Sequence, residues 1–132
     1  MNGDYVNGEK TPIKTYRDLH VWQDGVVFVT ELYRLTRDFP REEMFGVVSQ
    51  IRRAAISIPS NIAEGYGRRS SRDYVRFLQI SMGSLFEIQT QLEIARNLEY
   101  LSSDTYESLY AMSRKIERML SSLIRKIQER KE

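Results

Sequence analysis

Cysteine is absent from this sequence, which removes disulfides, thiolate nucleophiles and thiolate metal ligands together. A reducing, cytoplasmic setting suits such a chain. Histidine occurs once, as His20 beside Trp22 on the first turn of a helix. With no second His or Cys to share a metal, it reads as a packing or surface residue. No run approaches the ~18 apolar residues of a membrane span, and Met1 to Thr15 lacks the apolar stretch of a signal peptide. No membrane contact is expected. Proline and glycine are sparse, 3 and 7 in 132 residues, so long uninterrupted elements are possible.

What remains is a chain that is 41% hydrophobic and 29% charged, the composition of a globular, helix-rich protein with one core. Residues 1–15, with two Gly, a Pro and no periodicity, read as a flexible arm, and 16–132 as one domain. Asp18 is a plausible N-cap for a first helix over about 18–38, with apolar residues at Leu19, Trp22, Val26, Val29, Leu32 and Tyr33, stopped by Phe39-Pro40. A second helix, about 42–66, begins at Glu42 and Glu43, places Val47, Ile51, Ala54, Ile58 and Ile62 on one face, and ends at Gly65-Tyr66-Gly67. Pro59 lies within it and predicts a kink, with a break as the alternative. Ser70-Ser71-Arg72-Asp73 has the form of a capping box opening a third helix, about 71–100, whose stripe is Tyr74, Phe77, Leu78, Leu85, Ile88, Leu92 and Ala95. The fourth, about 103–129 after Ser102 or Ser103, carries a heptad seam of Tyr106, Leu109, Ser113, Ile116, Leu120, Leu123 and Ile127. Short connections between long helices force neighbours antiparallel, giving an all-α, up-down-up-down four-helix bundle with crossing angles near 20°.

Chemistry is hard to find. Glu64 and Glu87 could pair as acid and base across the second and third helices, but no nucleophile, cofactor loop or metal set accompanies them. Gly65-Tyr66-Gly67-Arg68-Arg69-Ser70 lacks the Gly-Lys-Ser/Thr ending and preceding strand of a phosphate loop, and reads as a helix C-cap followed by an N-cap. No enzyme and no cofactor are expected. A polar stripe on the second helix, Gln50, Arg53, Ser57, Asn61 and Glu64, flanks the apolar one. It is either a solvated face or a hydrogen-bonded contact between helices or subunits, and the second reading is preferred. The small residues Ala54, Ala55, Ala63, Gly83 and Ser84 would let backbones approach closely.

Net charge is only +2, yet the antiparallel topology distributes it unevenly. One end collects Lys14, Arg17, Arg68, Arg69, Arg72, Arg76, Arg125, Lys126, Arg130 and Lys131 against Asp18, Asp24, Glu64, Asp73, Glu129 and Glu132. The other has Arg34, Arg37, Arg41 and Arg96 against Asp38, Glu42, Glu43, Glu93, Glu99, Asp104 and Glu107. Helix-dipole complementation accounts for the basic end of the fourth helix but not for the arginines at the start of the third. Free N–H groups there, with Ser70, Ser71, Arg68, Arg69 and Arg72, could hold a phosphate. Arg68, Arg69, Arg72, Arg76, Arg125 and Lys126 are therefore the candidate nucleic-acid contacts.

These segments resemble a known family. Asp18-Leu19-His20-Val21-Trp22-Gln23, Phe45-Gly46-Val47-Val48-Ser49-Gln50-Ile51-Arg52-Arg53-Ala54-Ala55, Ser57-Ile58-Pro59-Ser60-Asn61-Ile62-Ala63-Glu64-Gly65, Tyr74-Val75-Arg76-Phe77-Leu78 and Gly83-Ser84 are similar to the four-helix bundle proteins encoded by intervening sequences in bacterial large-subunit ribosomal RNA genes. The family is also classed with ribosomal proteins. The similarity runs over about residues 16–127, with Met44 departing where a polar or acidic residue is expected. It implies a left-handed bundle, a ring-like homopentamer and no established enzymatic activity. Related bundles are accessory subunits of reverse transcriptases in retroelements, which implies RNA or DNA and a polymerase or other ribonucleoprotein component as partners. A ring would repeat the basic end on one face. The expected function is a homo-oligomeric nucleic-acid or ribonucleoprotein accessory protein, and the alternative is a protein-interaction scaffold that binds no nucleic acid.

Overall fold

The computed structural model describes residues 12–130. The arm proposed over residues 1–15 therefore lies mostly outside the described residues, as do Lys131 and Glu132. Four α-helices, α1 (His20–Thr36), α2 (Val47–Tyr66), α3 (Ser71–Asn97) and α4 (Ser103–Gln128), follow one another with no strand among the described residues. Single 3-10 turns precede α1 (Tyr16–Asp18) and α2 (Arg41–Glu43). All four helices contribute to one apolar core that includes Phe28, Leu32, Ile58, Leu85, Leu92 and Leu120, each fully buried.

Antiparallel neighbours are visible in the contacts. Ser84 Oγ donates to Ser57 Oγ at 2.8 Å and Ser81 Oγ to the Ile58 carbonyl at 2.8 Å, so α3 runs back along α2. Arg52 donates to Thr36 Oγ1 at 2.9 Å and the Tyr33 carbonyl at 3.2 Å, joining α2 to α1. Gln89 reaches Ser113 and Glu117 on α4, both at 3.1 Å, and Tyr106 OH donates to Glu93 at 2.7 Å. Ser113 breaks the apolar seam of α4 without cost, because its buried hydroxyl also donates to the Tyr110 carbonyl at 2.7 Å.

The buried positions of α4 are the seven of its heptad seam. Those of α1 are only partly the expected ones, Leu32 and the preceding Leu19 being fully buried as expected. The buried face is Val21, Gly25, Phe28, Leu32 and Thr36, while Val26 is exposed and Trp22, Val29 and Tyr33 are half-buried. Asp18 does not cap α1 either: its carboxylate accepts from the Lys14 and Thr15 N–H groups at 2.9 and 3.1 Å, closing a capping box with Thr15. Helix α1 begins after Leu19, and Glu42 and Glu43 form the 3-10 turn rather than the start of α2. Ser70 and Ser102 do cap α3 and α4, each accepting a backbone N–H at 3.1 Å.

Helix α2 is continuous through Pro59, so there is no break. The proline ring faces Gly25 of α1, where a side chain would lie 3.6 Å from Pro59 Cβ. Of the small residues expected at this seam, Ser84 meets Ser57 and Ala54 and Ala55 are buried, and Gly65 adds a close approach of its own. Gly83 faces open space, whereas a Cβ on Gly65 would sit 2.8 Å from Phe77 Cβ and 3.1 Å from the Tyr74 carbonyl oxygen. Backbone cannot yield as a flexible side chain can, so Gly65→Ala is expected to destabilise the fold by about 1–3 kcal/mol. Urea unfolding measures this, and an unchanged midpoint would show that α2 and α3 are not pinned there.

Candidate nucleic-acid interface

The C-terminus of α2 and the N-terminus of α3 are joined by Gly67–Ser70, a connection short enough to crowd their arginines together. Arg68 pairs with Glu64 one turn back and lies over the Phe77 ring, 4.6 Å from its centroid. Arg76 lies over the same ring at 4.7 Å and 3.9 Å from Asp73. One half-buried phenylalanine thus fixes two guanidinium groups from different helices through cation–π contact. Arg69 and Arg72 are exposed and have no side-chain partner among the described residues.

Between the start of α3 and the end of α4 lies a cleft of about 880 Å³ lined by Ser70, Ser71, Arg72, Asp73, Val75, Arg76, Gln79, Ile127, Gln128 and Arg130. The positive end of the α3 dipole points into this cleft, with the Asp73 N–H capped by Ser70 Oγ at 3.1 Å and the Asp73 carboxylate in the lining beside the arginines. Of the six candidate contacts, Arg72 and Arg76 line it. Arg68 and Arg69 stand at its α2 side in the connection, and Arg125 and Lys126 are on the last turn of α4 outside the lining. Gln79, Gln128 and Arg130 complete the wall and are not among the six.

Aromatic groups interleave with the charges. Tyr16 and Trp22 meet edge to face at 5.1 Å, with Arg17 over both rings at 5.8 and 5.4 Å. Tyr66 and Tyr74 meet edge to face at 6.1 Å. Burial and the nearby Asp18 carboxylate push the Tyr66 phenol upward. The Tyr74 phenol is pushed well above the usual tyrosine range by burial, and its hydroxyl has no hydrogen-bond partner among the described residues.

The polar stripe of α2 divides into two. Asn61 Nδ2 donates to the Ser57 carbonyl and hydroxyl at 2.8 and 2.9 Å, and Ser57 meets Ser84, so its middle is an interhelix contact. Glu64 is taken by Arg68, while Gln50 and Arg53 are exposed without a side-chain partner among the described residues. The register set by Ser57 and Ser84 puts Glu64 opposite Phe77, roughly 15 Å along the seam from Glu87 at 1.5 Å per residue. Glu87 instead accepts from Gln91 Nε2 at 3.2 Å, so the two carboxylates are not brought together. Among the described residues no group of His, Asp and Glu could hold a metal, and no helix is long and apolar enough to cross a membrane.

Residues 17–122 match the family model described as 23S rRNA-intervening sequence protein. The chain belongs to that family. A crystal structure of a protein of unknown function from the S23 ribosomal protein family, from Bacteroides thetaiotaomicron, is similar in fold with a TM-score of 0.75. It is 28% identical, and the match covers 80% of this chain and 96% of that one. No curated protein matches. The intervening-sequence family assignment includes α1 to α3 and most of α4, and so both walls of the arginine cluster around Phe77.

Asp18 ties the turn before α1 to the residues that lead into it, and the Lys14 and Thr15 N–H groups hold its carboxyl below the usual 3.8. The tie is complete above the ordinary carboxylate range and is lost as pH falls through the depressed value. Trp22, the single tryptophan, touches Tyr16 in that turn. Its fluorescence is expected to change only below about pH 4, and to be flat there in Asp18→Asn. A transition kept by that variant would assign it elsewhere.

Proposed function

We propose that this chain is a non-enzymatic, cytoplasmic accessory protein of RNA or a ribonucleoprotein, which grips phosphate backbones through its basic end. The observation that carries this reading is the cleft at the start of α3, where Arg72 and Arg76 line the positive end of the helix dipole and Arg68 and Arg76 are held on Phe77. The family's tie to 23S rRNA intervening sequences agrees with an RNA partner. Contacts of this kind position a backbone without reading bases, so affinity falls steeply with salt and depends little on sequence. Arg68, Arg69 and Arg72 replaced together by Glu should abolish retention of single-stranded RNA in low salt. In the parent chain these three phosphate contacts should contribute about 2 to the slope of log affinity against log salt. Retention equal to the parent chain would remove the reading.

Assembly of copies into a ring, five in the resemblance, would multiply this end on one face. The α2–α3 seam supports a self-association surface. Arg53 and Gln50 are exposed on it and have no side-chain partner among the described residues. A neighbouring copy could supply one. The scaffold reading, with no nucleic acid bound, rests on the same seam. Light scattering on Arg53→Ala should give a smaller particle than the parent. An unchanged mass in Arg53→Ala, and in Asn61→Ala, whose partner Ser57 lies on the same helix, would show that the stripe is not an interface.

A further inference from the structure

The opposite end of the bundle carries the most exposed apolar side chain described. Phe45 is 100% exposed, next to Met44 at 40%, and Leu98 at 53% stands across the end on the α3–α4 connection. Fixed structure holds them there. Glu43 accepts from Tyr100 OH at 2.7 Å, and the Tyr100 ring meets Phe39 at 5.4 Å, so the two connections are clamped side by side. The residues on both sides of Phe45 are hydrogen-bonded, Met44 N–H to the Arg41 carbonyl at 3.1 Å and Gly46 N–H to the Glu43 carbonyl at 3.0 Å. Beside Leu98 the chain turns through Glu99 at φ 64°, closed by the Tyr100 N–H on the Ala95 carbonyl at 2.9 Å.

A rigid aromatic wholly in water costs solvation free energy and loses little entropy when it is covered, the character of an interface anchor. The charges around it select what covers it. Asp38, Glu42, Glu99 and Asp104 are exposed carboxylates at this end. Two of its four arginines are already occupied, Arg34 by Glu31 at 2.8 Å and Arg96 by Glu93 at 2.7 Å. Such a field repels phosphate and attracts cations.

We propose that this end is a docking site for a cationic protein segment, with Phe45 entering an apolar pocket bordered by arginine or lysine. The bundle is then an adaptor with two dissimilar ends, and this end acts whether or not the other one binds phosphate. The probe is a fluorescent amphipathic peptide of arginine and leucine, compared with one in which serine replaces leucine. By anisotropy the parent chain should prefer the leucine peptide by at least about tenfold, and Phe45→Ser should bind both alike. The side chain is fully exposed, so Phe45→Ser should melt as the parent does and retain RNA equally, which separates this test from that of the basic end. Equal binding of both peptides by the parent, or an undiminished preference in Phe45→Ser, would overturn the proposal. So would a parent particle that Phe45→Ser breaks apart without peptide, because the occupant is then another copy of the chain.

Discussion

The contact of α2 with α3 through two serine hydroxyls sets the geometry on which both ends depend. Ser81 and Ser84 each spend a donor on α2, one on a backbone carbonyl and one on Ser57, and a slip by a turn would leave these groups unpaired in or near the core. Gly65 permits the close approach at the lower end of the same seam. With that register fixed, Phe77 comes to lie beneath both Arg68 and Arg76, and the α1–α2 connection comes to lie beside Tyr100. The first joins residues on either side of a short connection, and the second joins Glu43 and Phe39 to Tyr100, far apart in sequence. Both are consequences of one helix pair held at one offset.

The order of helices, the α4 seam and the caps at Ser70 and Ser102 were legible from the residues because each is a local signal of period or hydrogen-bonding chemistry. The phase of α1 was not. Its buried face includes Gly25 and Thr36, which carry no hydrophobic signal, while Trp22, Val26 and Tyr33 spell a competing stripe on the adjacent face. Gly25 is buried to receive Pro59, and Thr36 is buried to accept from Arg52 while donating to the Leu32 carbonyl at 2.8 Å. Period alone cannot see a partner on another helix. For the same reason the arginines could be assigned to one end from sequence, whereas the role of Phe77 as their common platform could not, since its spacing marks it simply as core.

The two ends use different physics. At the basic end, arginine side chains are ordered by aromatic faces and by a helix terminus, so charge is concentrated where backbone donors also point outward. At the acidic end, apolar side chains are held out by turns whose own hydrogen bonds are complete. Between them α2 presents Gln50 and Arg53, which have no side-chain partner among the described residues. The intervening-sequence family is thus represented here by a bundle whose sides and ends are chemically distinct, on a fold that by itself implies no activity.

The lengthwise separation of charge has a practical result for anyone handling the protein. Its net charge of +2 describes a sum and not a surface, because the excess of cations and the excess of anions lie at opposite poles of a bundle whose longer helices, α3 and α4, run about 40 Å. Chromatographic media respond to the pole that faces them. At neutral pH and low ionic strength the same molecule would adhere to a negatively charged resin by one pole and to a positively charged resin by the other, and its elution from either would say little about its isoelectric point.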